Sequence, residues 1–355
     1  MVKYAFKLGS AWGIPIELHF TFLLLIAAVL GLSIVMMEFY TFFIVLFLFI
    51  FVFFHELAHS VVARHYGIKV RKIMLYPIGG VSEIEEIPDK PSQEWRMAVA
   101  GPLTSLLLGG VLLGVSLYLM PELIPSVFTF STTGIFLYDL AILNILLGFF
   151  NLIPAFPMDG GRVFRAVLAE RMKYSDATRY AVTLGRILGI VMVIVGFVFN
   201  FLLILVGLFV YIGASEEGEQ TIISTKLAGV RVREVMQSEV GWANPQQNIS
   251  EALEVMFKNR YHDVLVEKDG VFQGVITWNE LMKISAEQRN LLKLEQMPLK
   301  TVSIREDESS LEANKIITRE KISLIPVVKK EDNSKVIGVI TSEAIANAYD
   351  KARNR

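Results

Sequence analysis

The chain has no cysteine in its 355 residues. Disulfides and thiolate metal sites are therefore excluded, and any metal must be held by histidine and carboxylate. It also lacks an excess of charge. Lys+Arg count 34 and Asp+Glu 35, so no global basic excess points to nucleic acid, and no such partner is expected. Lys3 and Lys7 occur near the N-terminus, but no short apolar core there ends in a small-residue cleavage site, so no secretory signal is expected. The most informative absence is local. From Tyr40 to Phe54 the chain has no charged residue and nearly every side chain is apolar.

Such runs recur up to about Ser215, and beyond it the composition is that of an ordinary soluble protein. Spans are expected at about Ile16–Met37, Tyr40–Arg64, Met97–Met120 and Thr133–Ile153. A last apolar stretch, Ala181–Ala214, is too long for one span and reads as two turning at Phe199-Asn200, with one long tilted helix as the alternative. Basic residues test this arrangement. The segments between spans on one side hold Lys69, Arg71, Lys72, Lys90, Arg162, Arg165, Arg171 and Lys173, whereas 38–39, 121–132 and 198–200 hold no Lys or Arg. Both termini are thus expected on the cytoplasmic side of a multi-pass protein of about six spans in the cell membrane. The pairs Ser105/Gly109, Gly110/Gly114 and Gly185/Gly189 read as devices for close helix packing.

Near the end of the second span stands His55-Glu56-Leu57-Ala58-His59. Positions i and i+4 share a helix face, so His55 and His59 can point at one ion. Glu56 is offset by one residue and can approach a metal-bound water without occupying a coordination position, as a general base must. Ionisable residues inside a span are costly, and three within five positions outweigh the reading of two incidental helix histidines. At about 1.5 Å per residue to Arg64, the pair lies in the inner half of the membrane.

A catalytic zinc usually takes three protein ligands. The candidates for the third are His19, His65, Asp139 and Asp159. Asp159 is favoured because Pro154 and Pro157 prevent regular helix before it, and irregular backbone at membrane depth is tolerated only around a protein-lined or watery cavity. A purely structural role as N-cap of a helix starting near Gly161 is the alternative. Between the second and third spans, Val70, Ile73, Leu75, Val81, Ile84 and Ile87 partly alternate with charged residues around Ile78-Gly79-Gly80-Val81. This reads as short strands about a glycine turn, either a plain hairpin or an edge that accepts an extended substrate.

The His-Glu-x-x-His motif within a span, followed by Asn151-Leu152-Ile153-Pro154-Ala155-Phe156-Pro157-Met158-Asp159-Gly160-Gly161, resembles the site-2 protease family of intramembrane zinc metalloproteases. Family members usually have Leu where this chain has Met158. The resemblance covers about 1–215. It implies one zinc ion per chain on His55, His59 and Asp159, Asn151 near the scissile carbonyl, and Gly79 and Gly80 in a substrate-binding loop. It also implies a lipid-embedded endopeptidase that cuts a single-span membrane protein.

After a linker at 216–229, residues 230–355 repeat themselves. Gly274-Val275-Ile276-Thr277 recurs as Gly338-Val339-Ile340-Thr341, and Val264-Leu265-Val266 is answered by Pro326-Val327-Val328. Each copy, about 230–290 and 296–355, reads helix, strand, turn, strand, helix, and the two should pack with pseudo-two-fold symmetry. The pattern resembles a tandem pair of cystathionine-β-synthase (CBS) domains. That resemblance implies a cytosolic α/β regulatory module, an adenine nucleotide near Thr277, Glu280 and Thr341, and homodimers formed through the pair. The usual ribose-binding Asp is replaced by Glu280 in the first copy and Ala344 in the second. The fold expected is a polytopic α-helical membrane domain with a small β element, followed by this pair. Competing readings are a CBS-regulated transporter or channel, whose ion path the histidines would line, and an inactive scaffold. Glu56 between the histidines and the absence of an internal repeat among the spans argue for the protease.

Overall fold

Two strands precede the first membrane helix. In the computed structural model, which describes residues 5–84, 90–121, 135–259, 261–331 and 335–353, β1 (Ala5–Ala11) and β2 (Ile14–His19) form an antiparallel hairpin. The expected first span therefore starts late. Ile14-Pro15-Ile16-Glu17-Leu18-His19 alternates with strand period, and α1 covers Phe20–Met36. His19 ends the strand and caps α1 by accepting from the Thr21 amide at 3.3 Å. α2 (Tyr40–His65) carries the histidine motif, and β3 (Val70–Tyr76) and β4 (Gly79–Ile84) follow. Ile87 and the 122–132 segment lie outside the described residues.

The four strands make one sheet in the order β1-β2-β3-β4, with β2 and β3 parallel and the other pairs antiparallel. Lys72 stitches three of them, reaching Glu17 Oε2 at 2.8 Å and Glu83 Oε1 at 3.4 Å. Burial alone would lower the Lys72 ammonium, but the Glu17 hydrogen bond and the charges of both glutamates outweigh it and raise it above the ordinary lysine value. β4 is an edge strand.

The remaining helices of the first unit are α3 (Pro91–Leu119), α4 (Phe136–Asn151), α5 (Asp159–Ala169), α6 (Tyr174–Phe199) and α7 (Phe201–Ala228). By length and composition α2, α3, α6 and α7 can each cross a membrane, and α1 and α4 are shorter apolar helices. The last apolar stretch is indeed broken at Asn200, whose Oδ1 accepts from the Leu202 amide at 2.8 Å. α3 and α4 approach closely because a side chain at Gly109 would strike Ile145 and the Ala141 carbonyl, and one at Gly148 would strike Leu106. Gly185 packs on Phe156 and Ala214 in the same way, whereas Gly110 and Gly114 have nothing within 4 Å among the described residues.

The chain divides into compact units at Met1–Glu219 and Gln220–Arg355. Residues 216–228, expected as linker, continue α7, because the segment contains no proline and Leu227 is buried in the second unit's core. In that unit, β5 (Trp242–Ala243), α8 (Ile249–Asn259), β6 (Asp263–Lys268), β7 (Val271–Thr277) and α9 (Trp278–Leu281) form one copy. β8 (Ile304–Arg305), α10 (Ser310–Glu320), β9 (Leu324–Val328), β10 (Val336–Thr341) and α11 (Ser342–Arg353) form the other. Each copy has a three-stranded sheet with its middle strand parallel to one neighbour and antiparallel to the other. The two share a core of Leu265, Val275, Leu324 and Val339.

Candidate metal centre

α2 is regular through the motif, so the rings of His55 and His59 lie one turn apart with centroids 4.9 Å from each other. Both are buried. Asp159 comes from the first turn of α5, where the chain doubles back tightly. A Cβ at Gly160 would strike the carbonyls of Leu152 and Ile153, and one at Gly161 the backbone of Ala155 and Phe156. The turn aims Asp159 Oδ2 at both imidazoles, 3.1 Å from His55 Nε2 and 3.1 Å from His59 Nε2. Met158 is the helix cap and makes no side-chain capping bond, so Asp159 is not the N-cap.

These residues fit a metal ion. Their ligand atoms all lie within 4.8 Å of one another. Donors about 2.0–2.1 Å from a shared tetrahedral ion would be roughly 3.3 Å apart, close to what is seen. His59 Nδ1 is 2.7 Å from the Met97 carbonyl, which can only accept, so that nitrogen carries the proton and Nε2 presents its lone pair. His55 Nδ1 likewise meets Ser105 Oγ at 2.9 Å. The carbonyl partner sets the His59 tautomer, and the serine hydroxyl, which can donate or accept, holds the His55 ring in place. Space is provided by α3: a Cβ on Gly101 would collide with Nε2 of both histidines.

The ligands open onto a cavity of about 860 Å³ whose wall includes Glu56, Gly79, Gly80, Asn151 and Arg162. Glu56 is one residue round the helix from His55 and is bound by Ser82 Oγ at 2.7 Å through Oε2. Asn151 spends one amide hydrogen on the Leu147 carbonyl at 3.1 Å and retains a second. The other ligand candidates are elsewhere: His19 caps α1, His65 meets Tyr66 edge to face with ring centroids 5.3 Å apart, and Asp139 accepts from Tyr40. Sequence reasoning missed Ser82, Gly101, Ser105 and Arg162. Ser105 had a visible signal, its spacing from Gly109, but that spacing reads equally as packing.

In the second unit, Thr277 Oγ1 accepts from the Glu280 amide at 3.3 Å and Thr341 Oγ1 from the Ala344 amide at 3.1 Å, so both threonines start helices. Glu280 pairs with Lys283 at 2.7 Å. A cavity of about 890 Å³ is lined by Thr341, Tyr261, Glu239 and Glu343 among others. Among the described residues, Thr277 and Glu280 are not in its wall, nor is any Lys or Arg.

Two imidazoles on an apolar helix and a carboxylate from a second element, with a glutamate on the same cavity, match the donor set of a membrane-embedded metallopeptidase. Residues 42–192 match peptidase family M50, and 232–287 and 295–351 each match the CBS domain. The chain is 35% identical to the zinc metalloprotease MJ0392 of Methanocaldococcus jannaschii, over 98% of this chain and 96% of the relative. It is 30% identical to the stage IV sporulation protein FB of Bacillus subtilis, over 36% of this chain and 41% of that one. The solved site-2 protease from Methanocaldococcus jannaschii is 43% identical and covers 61% of this chain and 95% of its own, with a TM-score of 0.45. The chain belongs to peptidase family M50, the site-2 proteases. It is a metalloendopeptidase with a tandem CBS pair, and the transporter, channel and scaffold readings fall away.

Proposed function

We propose that the protein hydrolyses a peptide bond in a transmembrane segment of a single-span membrane protein, near the cytoplasmic face, with zinc held by His55, His59 and Asp159. The observation that carries this is the convergence of Oδ2 and the two Nε2 atoms while both Nδ1 atoms are engaged elsewhere. Bound there, zinc supplies Lewis acidity, activating a water and polarising the scissile carbonyl. Glu56 takes the water's proton and passes it to the leaving amine. Asn151 lines the same cavity, where its remaining amide hydrogen would serve as a donor to a developing oxyanion.

A transmembrane helix hides its carbonyls in its own hydrogen bonds, so the cut segment must open first. β4, the edge of the sheet among the described residues, can hold it extended by strand addition, with Gly79 and Gly80 leaving room beside the cavity. The basic residues of the interhelical segments support cytoplasmic termini and a cut at that side. The CBS pair is the regulatory half, able to form homodimers, and an adenine nucleotide would enter the cavity that Thr341 lines. The test is Glu56→Gln in the purified full-length chain. It should keep stoichiometric zinc and lose about 10²–10⁴-fold in cleavage of a dye-labelled single-span peptide. Wild-type turnover by that variant would refute the mechanism.

A further inference from the structure

The inner face of β4 lies against the motif helix. Side chains alternate along a strand, so Gly80, Ser82 and Ile84 share one face and Val81 points away, 47% exposed. Gly80 meets that helix at Glu56: a Cβ there would run into the glutamate side chain. Two residues on, Ser82 Oγ reaches Glu56 Oε2 at 2.7 Å. The same oxygen is 3.0 Å from the Glu56 carbonyl and 3.1 Å from Ser60 Oγ. Ser60 itself donates to the Glu56 carbonyl at 2.9 Å, one turn back on its own helix. With that carbonyl served by Ser60, the single Ser82 proton goes to the carboxylate. The 2.7 Å separation is that of a charge-assisted bond.

A glutamate on a helix has three side-chain torsions and would otherwise swing across the cavity. Tying Oε2 to the sheet fixes the carboxylate plane and leaves Oε1 for the attacking water. The tie comes from the strand whose other edge is open. Ser82 is paired through the ladder with Ile73 of β3, so its position follows the register of β4. An extended substrate added to that edge would brace the same strand.

We propose that Ser82 is a positioning residue: its hydroxyl sets the orientation of the Glu56 carboxylate and ties that orientation to the strand that receives the substrate. This rests on the protease reading with Glu56 as base. It deepens that reading by making β4 a part of the catalytic alignment as well as a binding edge. A strand that only bound substrate would affect KM. A strand that also aims the base affects kcat.

The experiment uses full-length protein in detergent and the dye-labelled single-span peptide, with kcat, KM and zinc content measured for Ser82→Ala, Ser82→Thr and Glu56→Gln. Ser82→Ala should lower kcat about 10- to 100-fold with KM and zinc content unchanged, the scale expected when a reacting group is displaced by about 1 Å. Ser82→Thr, which keeps the hydroxyl, should restore most of the lost kcat. Wild-type kcat in Ser82→Ala, a loss confined to KM, or a Thr variant as slow as the Ala variant would overturn the proposal. The Glu56→Gln arm separates the two claims. If it is inactive while Ser82→Ala is fast, only the role of Ser82 fails; if it is active, the protease mechanism fails first.

Discussion

In the membrane unit His55, His59, Glu94, Asp139 and Arg165 are all buried, whereas among the described residues of the CBS unit the buried ionisable side chain is Asp263. The contrast runs against naive expectation, since the unit surrounded by lipid is the one that hides charge. It does so in closed groups. Arg165 is 2% exposed and donates to Glu94 Oε1 through Nε at 2.8 Å and Nη2 at 2.5 Å, and to Glu217 at 2.9 Å. Its guanidinium also lies between the rings of Phe156 and Tyr174, at 4.8 and 4.9 Å. This cluster ties α3, α5 and α7 together and sits against Phe156, three residues before Asp159. The CBS unit uses its buried polar groups to close turns and to join its copies. Asp263 of the first copy accepts from Ser323 Oγ at 2.9 Å and from the Ser323 amide in the second. The Arg165 cluster thus fixes where helices meet, whereas Asp263 joins the two copies and Thr277 and Thr341 mark where strands hand over to helices.

The comparison is broken most forcefully at Arg165. Arg165→Met removes the cation and strands Glu94 in an apolar surround, so the full-length protein should lose about 3–5 kcal/mol of stability, read by thermal unfolding in detergent. A change of less than about 1 kcal/mol would mean that the cluster is not the fastener of the membrane unit. In the CBS unit the counterpart is Asp263→Ala, which loses charge-assisted bonds to Ser323 and should cost about 1.5–3 kcal/mol, seen in the melting of that unit. Asp263→Asn should recover part of this. The smallest effect is expected at the surface pair Lys330–Asp307, 3.3 Å apart. Burial alone would raise the Asp307 carboxyl, but the Lys330 hydrogen bond and the charges of Lys330 and Arg305 outweigh it and hold it below the ordinary value. A depressed folded-state pKa gives stability that is fully present above about pH 4 and lost as pH falls through the folded value. Lys330→Ala should therefore lower the melting temperature slightly at neutral pH and not at all in acid.

Much of the candidate metal centre was legible because it breaks the local hydropathy. Histidines and a glutamate in an apolar helix cost too much to be accidental, and Pro154, Pro157 and the glycines announce the irregular turn that presents Asp159. The copies of the CBS unit were legible because Gly-Val-Ile-Thr occurs twice. The N-terminal hairpin was not, since Ile14, Ile16 and Leu18 continue the apolar run of α1 and only their alternation separates strand from helix. Nor were Ser82 and Gly101. Their meaning lies in what they face across the fold, and one small residue in sequence resembles another. The continuation of α7 through the expected linker was hidden for a related reason: a change in composition from apolar to charged marks a change of solvent, and a helix can cross it without a break.

A further consequence follows from the missing side chain at Gly101. An ion needs volume before it needs partners, and here the volume is an omission in the neighbouring helix. Alanine at that position would drive a methyl group into Nε2 of both histidines, so it would push the proposed donors apart as well as fill the space between them. The gathering of the two histidines with the aspartate thus depends on a residue that contributes no atom to the group.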